Sequence, residues 1–423
     1  MDKLLLKKAA VQSFALMVAV VTSSFALQQY QAVSISANDE IQKSDFSSFD
    51  QARINILSDV SIPVNPEQGA ASEAPSLAAS LTELELQMDS KVKNQLSENY
   101  LAIRKPSADQ PSLTLEDLYI THSIKLDLSG SRDSDIVSDR ILRVKGTDFH
   151  AGDPVYTETV STETDEDGTT KEVVTKDYGT DICHSITMTS NQDAGTGLYH
   201  IQLLLELDTV YAYTILEDAN YYYIDLRKPS DVYDKILVID AGHGGKDAGA
   251  LSKDETIYEK NINLGIAMQL KELLDQENIK VYYTRTGDNT VFLRPRATLA
   301  NSVDCDYFIS IHCNSNEVTY PNGTEVLYYD NEFKGVRAKN LAKLFSEEIG
   351  RGTELKARGI LQKQMEDIFI MDKAQVPTIL IEIGYISNAG DLNYLSSPDK
   401  QKEIAKSIYN GIMRAYDDLP VKK

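Results

Sequence analysis

After Asp231 the chain alternates short, wholly apolar runs with stretches of helical period, and few architectures accept that alternation. Ile236-Leu237-Val238-Ile239 is one such run, Tyr307 to Ile311 a second, Val326 to Tyr329 a third and Thr378 to Ile383 a fourth. A strand apolar at every position is buried on both faces, as in a sheet covered by helices on either side. Between these runs, Asn261 to Leu274 spaces Ile262, Ile266, Leu270, Leu273 and Leu274 as a helix does. Arg296 to Ser302, Val336 to Ile349 and Lys400 to Tyr416 read as helices too, and Lys280 to Thr284 as a further strand. The expected fold over residues 231–423 is therefore α/β, a mixed, mostly parallel sheet flanked by helices on both faces.

The first half is a different kind of object. The net charge is −22 in all, with 18 basic against 35 acidic residues before Asp231 and 24 against 29 from there on. That balance excludes a broad phosphate-tracking surface, and no nucleic-acid partner is expected. Residues 115–228 carry closely spaced β-prone runs: Ile120 to Leu128, Val155 to Val160, Lys171 to Thr175, Tyr199 to Leu207, Val210 to Ile215 and Tyr221 to Leu226. Asp167-Gly168 is a hairpin-turn signal between the second and third of them. Such a region predicts a small β-sandwich. Ahead of it, Leu77, Leu81, Leu84, Met88, Val92, Leu96, Tyr100 and Ile103 follow helix period, which predicts an amphipathic helix over residues 76–105. Residues 27–75 are rich in Ser, Ala, Gln and Asp without a sustained period and read as a flexible linker. Lys3, Lys7 and Lys8 precede an uncharged stretch from Ala9 to Leu27, with Ser24-Phe25-Ala26 offering a cleavage site. Residues 1–26 thus read as a secretory signal peptide, or alternatively as an uncleaved membrane anchor. Either reading places the remainder outside the cytoplasm. Cys183, Cys305 and Cys313 are too few for a disulfide framework.

Only two histidines lie after Asp231, and each stands where a buried strand gives way to a loop. His243 lies in Asp-Ala-Gly-His-Gly-Gly and His312 in Ser-Ile-His-Cys-Asn. Ligands bind at the carboxyl ends of strands in open α/β sheets, and two imidazoles converging there suit Zn²⁺. A catalytic zinc takes a third protein ligand. Glu255 and Glu259 are candidates, with Glu259 preferred because it begins a helix and Glu255 lies in a loop. Glu382 stands inside the apolar run Thr378-Ile-Leu-Ile-Glu-Ile-Gly-Tyr, where a carboxyl is costly unless paired or functional, and is the candidate general base and acid. The glycines at 242, 244 and 245 do not form a phosphate loop, because Asp240 and Asp247 occupy positions where that motif requires other residues. Arg285 and Arg358 each divide between binding a substrate carboxylate and a structural ion pair. Cys313 and Cys305 read as buried thiols, and His122, His150, His184 and His200 as structural.

Several ordered blocks together resemble one family. They are Val-Ile-Asp-Ala-Gly-His-Gly-Gly-Lys-Asp-Ala-Gly-Ala (238–250), Glu-Lys-Asn-Ile-Asn-Leu (259–264), Thr-Arg-Thr-Gly-Asp (284–288), Leu293 with Arg296, Ile-Ser-Ile-His-Cys-Asn (309–314), Arg358-Gly359, and Ile-Glu-Ile-Gly-Tyr-Ile-Ser-Asn (381–388). Residues from about 235 to 417 resemble the zinc-dependent N-acetylmuramoyl-L-alanine amidases of bacterial cell walls. The resemblance implies that His243, Glu259 and His312 hold zinc, that Glu382 is the catalytic carboxylate, and that the substrate is peptidoglycan. Asn314 and Arg358 are the candidate substrate-binding residues. Ala241, Ile383 and Tyr385 depart from the family's commoner residues without removing a ligand. Some members carry a helix that plugs the site; here Gly323 to Arg358 has room for one strand and one helix only. Lys125 to Gly130 and Tyr222 to Leu226 resemble, more weakly, the AMIN-type wall-targeting domain of bacterial amidases. The whole is expected to be a monomer with no membrane partner beyond its amino-terminal segment. The rival readings are a non-catalytic wall-binding protein and a zinc peptidase acting on wall peptides.

Overall fold

A computed structural model of the chain describes residues 81–105, 112–132, 141–144, 147–150, 157–164, 170–177 and 182–422. The expected signal peptide, the linker and the Asp167-Gly168 turn lie outside them.

The second half is built on six strands: β1 (Ile236–Ala241), β2 (Lys280–Tyr283), β3 (Tyr307–Asn314), β4 (Thr324–Tyr328), β5 (Ala357–Gln362) and β6 (Thr378–Tyr385), in the order β2-β1-β3-β6-β4-β5. β2, β1, β3 and β6 pair in parallel, β4 lies antiparallel to β6, and β5 runs parallel to β4. The sheet is thus mixed and mostly parallel. The sequence reading did not identify β5, because Ala-Arg-Gly-Ile-Leu-Gln has neither a continuous apolar run nor a clean alternation.

Strand alternation sends Leu237 and Ile239 of β1, with Tyr307, Ile309 and Ile311 of β3, to one face. There they meet Ile262, Ile266 and Leu270 of α1 (Glu259–Leu274), Leu341 and Phe345 of α2 (Ala338–Gly352), and Ile404, Ile408 and Ile412 of α3 (Pro398–Asp418). Each such large side chain contributes roughly 1.5–3 kcal/mol on burial. Val238, Phe308 and Leu380 take the other face, under Leu299 and Ala300 of the helix Leu293–Ser302 and Ile370 and Met371 of Phe369–Lys373.

Among the described residues the first half holds two larger antiparallel sheets. One orders strands Ser112–Leu118, Ser123–Ser131, Tyr199–Leu207 and Cys183–Gln192; the other orders Tyr100–Arg104, Tyr221–Arg227 and Ala212–Glu217. Leu126, Leu203 and Leu205 of the first share a core with Leu101, Ile103, Ile224 and Leu226 of the second, as a sandwich requires. Thr157–Thr164 pairs antiparallel with Thr170–Asp177, and Ile141–Val144 with Thr147–His150.

The single helix expected over 76–105 is corrected. The described part holds a helix at Leu81–Gln87, a further turn at Ser90–Lys93 and a strand at Tyr100–Arg104. Asp89 caps the second turn by accepting from the Lys91 amide, so the helix restarts rather than continues. Leu84, Met88 and Val92 do share a face, but it packs on Tyr100, Ala102 and Tyr223 of the three-stranded sheet. One apolar face passing through two kinds of element mimics a single helix.

The two halves also meet. Val210 is buried in the same cluster as Val238 and Tyr282, with Tyr119 and Ile120 packed against it. The Tyr119 hydroxyl donates to the Tyr283 carbonyl at 2.9 Å. Among the described residues no helix is long and apolar enough to cross a membrane.

Candidate metal centre and catalytic site

The parallel strands bring their carboxyl ends to one edge. β1 ends at Ala241 and runs into Gly242-His243; His312 stands near the end of β3; Glu382 lies in β6 in direct register with His312. Glu259 opens α1, where a carboxylate is favoured by the helix dipole.

His243, Glu259 and His312 converge. His243 Nε2 lies 3.2 Å from Glu259 Oε2, and His312 Nδ1 lies 3.0 Å from Glu259 Oε1. Among the described residues these three side chains form a group able to hold a metal, with one ligand atom from each within 4.8 Å of the others. Donors ~2.0–2.1 Å from a tetrahedral zinc would stand about 3.3 Å apart, near the two histidine–carboxylate separations of 3.2 and 3.0 Å. Two imidazoles and one carboxylate are also the donor set of a catalytic zinc. Glu255, the alternative ligand, is exposed in the loop and turns its amide to Ser252.

Burial pulls the His243 imidazole down, but the hydrogen bonds and charges of Glu259 and Asp247 outweigh it and raise it to about 9. Burial pushes the Glu259 carboxyl up, and the two histidines more than reverse this, leaving it below the usual range. Glu259 is further held by the amides of Ala250 and Cys313 and by Asn263. His243 Nδ1 faces Asp247 Oδ2 at 2.8 Å, the arrangement that fixes the ring of a metal-binding histidine.

The loop carrying His243 is clamped from below. His243 itself has a φ of 62°. Arg285 donates to the carbonyls of Ala241, Gly242, Gly287 and Lys260. Arg296 donates to the carbonyls of Ala241, His243 and Val291 and pairs with buried Asp240 at 2.6 Å. Thr284 and Ser310 also donate to Asp240. Arg285 therefore neither faces a substrate carboxylate nor pairs with Asp288, whose partners are Lys260 and the Gly245 amide. Two glycines permit the close approach. A Cβ on Gly242 would fall on the His312 imidazole, and one on Gly249, where φ is 67°, would lie 2.6 Å from Glu259 Oε2 and 2.7 Å from His243 Cδ2.

Glu382 sits beside this cluster. Its Oε2 is shielded from solvent and has no hydrogen-bond partner among the described residues. Burial raises the carboxyl, His312 opposes, and Glu259 and Glu325 raise it again, to about 7. Glu325 of β4 is the cross-strand partner of Glu382. Arg358 lies 3.6 Å from Glu325 and 5.4 Å over the Tyr385 ring. Asn314 ends β3 in register with Tyr385, and its Oδ1 accepts from the Ser315 amide. Cys313 is buried with its thiol against Asn263, pushed up in pKa by burial, and Cys305 is buried likewise. His122 contacts Ser302 at the junction of the halves.

Glu325 escaped the sequence reading, and Asp240, Asp247 and Arg296 entered it as members of the family blocks with no role assigned. Asp247 was also read as the residue that breaks a phosphate motif, although an acid four residues after a ligand histidine was a usable signal for its role. Between Gly323 and Arg358 lie β4, a two-residue hairpin and α2, and no plugging helix.

A sheet edge with a His-Glu-His cluster able to hold a metal, beside a buried carboxyl, is an arrangement suited to hydrolysis. Residues 237–414 match the family model described as N-acetylmuramoyl-L-alanine amidase. The uncharacterized protein YqiI of Bacillus subtilis is 32% identical over 183 residues, 43% of this chain and 85% of that one. The germination-specific N-acetylmuramoyl-L-alanine amidase of the same organism is 30% identical over 198 residues, 44% of this chain and 81% of its own. The solved catalytic domain of CwlV, an N-acetylmuramoyl-L-alanine amidase from Bacillus (Paenibacillus) polymyxa var. colistinus, is 33% identical over 43% of this chain and 98% of that one, with a TM-score of 0.41. The chain belongs to the N-acetylmuramoyl-L-alanine amidase family.

Proposed function

We propose that the chain is a zinc-dependent peptidoglycan hydrolase that cuts the amide between the lactyl group of N-acetylmuramic acid and L-alanine. The observation that carries the reading is the Glu382 carboxyl, with one oxygen unpartnered, in register with His312 at the His243–Glu259–His312 cluster. His243, Glu259 and His312 would hold the ion, with Glu259 fixed by two backbone amides and His243 by Asp247. Zinc bound there supplies Lewis-acid chemistry, acidifying water and polarising a carbonyl. Glu382, raised to about 7, takes a proton from the attacking water and returns it to the leaving amine of alanine. The carbon–nitrogen bond breaks, the lactyl group leaves as a carboxylate, and the peptide leaves with a free amino terminus. Asn314 and Arg358 flank the carboxylate as substrate contacts.

Residues 115–228 serve in this reading as a wall-binding region, and residues 1–26 as the signal that carries the chain out of the cytoplasm. Equal retention on sacculi by a chain lacking residues 115–228 would remove the first of these roles. The central test is digestion of purified peptidoglycan by the zinc-loaded chain, with fragments identified by mass. Free peptides beginning with alanine and glycan strands without peptides support the amidase reading. Release of single amino acids, or cuts between peptide residues, would make it a peptidase, and intact peptidoglycan a binding protein.

A further inference from the structure

Three arginines stand at the catalytic edge of the sheet, and they are used differently. The guanidinium groups of Arg285 and Arg296 are committed to backbone carbonyls and Asp240. The Arg358 side chain makes no hydrogen bond among the described residues and is 34% exposed. Its place is nonetheless built. The pairing of β4 with β5 slips between Thr324, which faces Ala357, and Glu325, which faces Gly359, so Arg358 is the extra residue at the irregularity. Such an insertion re-aims a side chain at functional edges. Glu325 draws the Nε side at 3.6 Å, and the Tyr385 ring supports the plane at 5.4 Å. Among the described residues neither terminal nitrogen has a hydrogen-bond partner.

We propose that Arg358 is a specificity residue that takes a carboxylate on the peptide side of the scissile amide, one residue beyond the leaving alanine. This rests on the amidase reading. A fixed guanidinium with both terminal nitrogens free is the partner that binds a carboxylate by two parallel hydrogen bonds. The spacing agrees. Glu325 is the cross-strand partner of Glu382, and β5 is the strand beyond β4, which puts the Arg358 backbone roughly 10 Å from that of Glu382 at about 4.8 Å per strand. The side chain leans back toward Tyr385 on β6. An extended peptide advances about 3.3–3.6 Å per residue, so a carboxylate on the residue after alanine comes within reach once the amide lies at Glu382.

The test uses the zinc-loaded full chain and two soluble N-acetylmuramoyl peptides. They differ only in whether the residue after alanine carries a free carboxylate or its carboxamide. The wild type should favour the carboxylate substrate in kcat/KM by about 10–100-fold, mainly through KM, the scale of a charge-assisted pair. Arg358→Gln should bring the ratio of kcat/KM between the two substrates close to one, and Arg358→Lys should restore part of the preference. A wild type indifferent to the substitution, or an Arg358→Gln variant equally impaired on both substrates, would overturn the subsite and leave the amidase reading standing. A wild type that cut neither substrate would overturn both.

Discussion

The two flanks of the cleft are built on opposite plans. On the His243 flank nearly every polar group is occupied: Arg285 and Arg296 hold the loop carbonyls, Asp247 holds the imidazole, and two glycines let the rings close on the backbone. On the Glu382 flank, the carboxyl oxygen and the Arg358 terminal nitrogens have no partner among the described residues. A ligand set must not move, so its surroundings are saturated. A proton carrier and a substrate clamp must accept something new, so theirs are left open. The cost of the open flank is a carboxyl raised to about 7 in pKa.

The widest separation of the flanks comes from deleting a ligand. His243→Ala or His312→Ala should empty the site of zinc and abolish hydrolysis, measured by metal analysis and fragment release. Full activity in either variant, or after exhaustive chelation, would break the comparison at its root. Next is Glu382→Gln, which keeps the side chain's shape but not its basicity. Zinc content should stay near that of the wild type while the rate falls by about 10²–10⁴-fold. Glu259→Gln should instead lose activity through lost metal and recover partly in excess zinc. The opposite pattern would exchange the two roles.

Asp240→Asn tests the saturated flank from underneath. Burial pushes the Asp240 carboxyl up, but Arg296, His312 and the hydroxyls of Ser310 and Thr284 outweigh it and hold it below its ordinary 3.8. The unfolded chain therefore binds this proton more readily than the folded one, so the carboxylate's contribution is complete above about pH 4 and fades as the pH falls. At neutral pH the variant leaves Arg296 buried without its anion and should be less stable by about 3 kcal/mol. Denaturant melts should show that gap narrowing in acid; a gap independent of pH would exclude the mechanism. The smallest effect is expected from Gly249→Ala, whose Cβ would press on Glu259 and His243 at 2.6 and 2.7 Å. Zinc affinity should fall roughly 10–100-fold, the scale on which support around a metal site operates, with a loss of stability of about 1 kcal/mol from the left-handed backbone. Unchanged affinity would mean that the loop yields.

Strong apolar runs made most of the catalytic sheet legible in advance. Ile236–Ile239, Tyr307–Ile311 and Thr378–Ile383 all became strands, and their ends located both histidines and Glu382. β5 and the strand at Tyr100–Arg104 were not legible, the first for want of pattern and the second because its apolar residues continue a helix's stripe. The roles of Arg285, Arg296 and Glu325 depend on which carbonyl or strand lies beside them after folding. Nothing in Thr-Arg-Thr-Gly-Asp separates an arginine that grips its own backbone from one that awaits a ligand.

Val210, Ile120 and Tyr119 reach from the β-rich half into the core beneath the catalytic sheet. Those contacts leave little freedom for a swivel between the halves. With the wall-binding role proposed for the β-rich half, its grip would therefore set the compass bearing of the cleft as well as its address. Such an enzyme would work as a ruler rather than a tethered blade, cutting at a fixed offset from its grip and passing over bonds that present the wrong orientation.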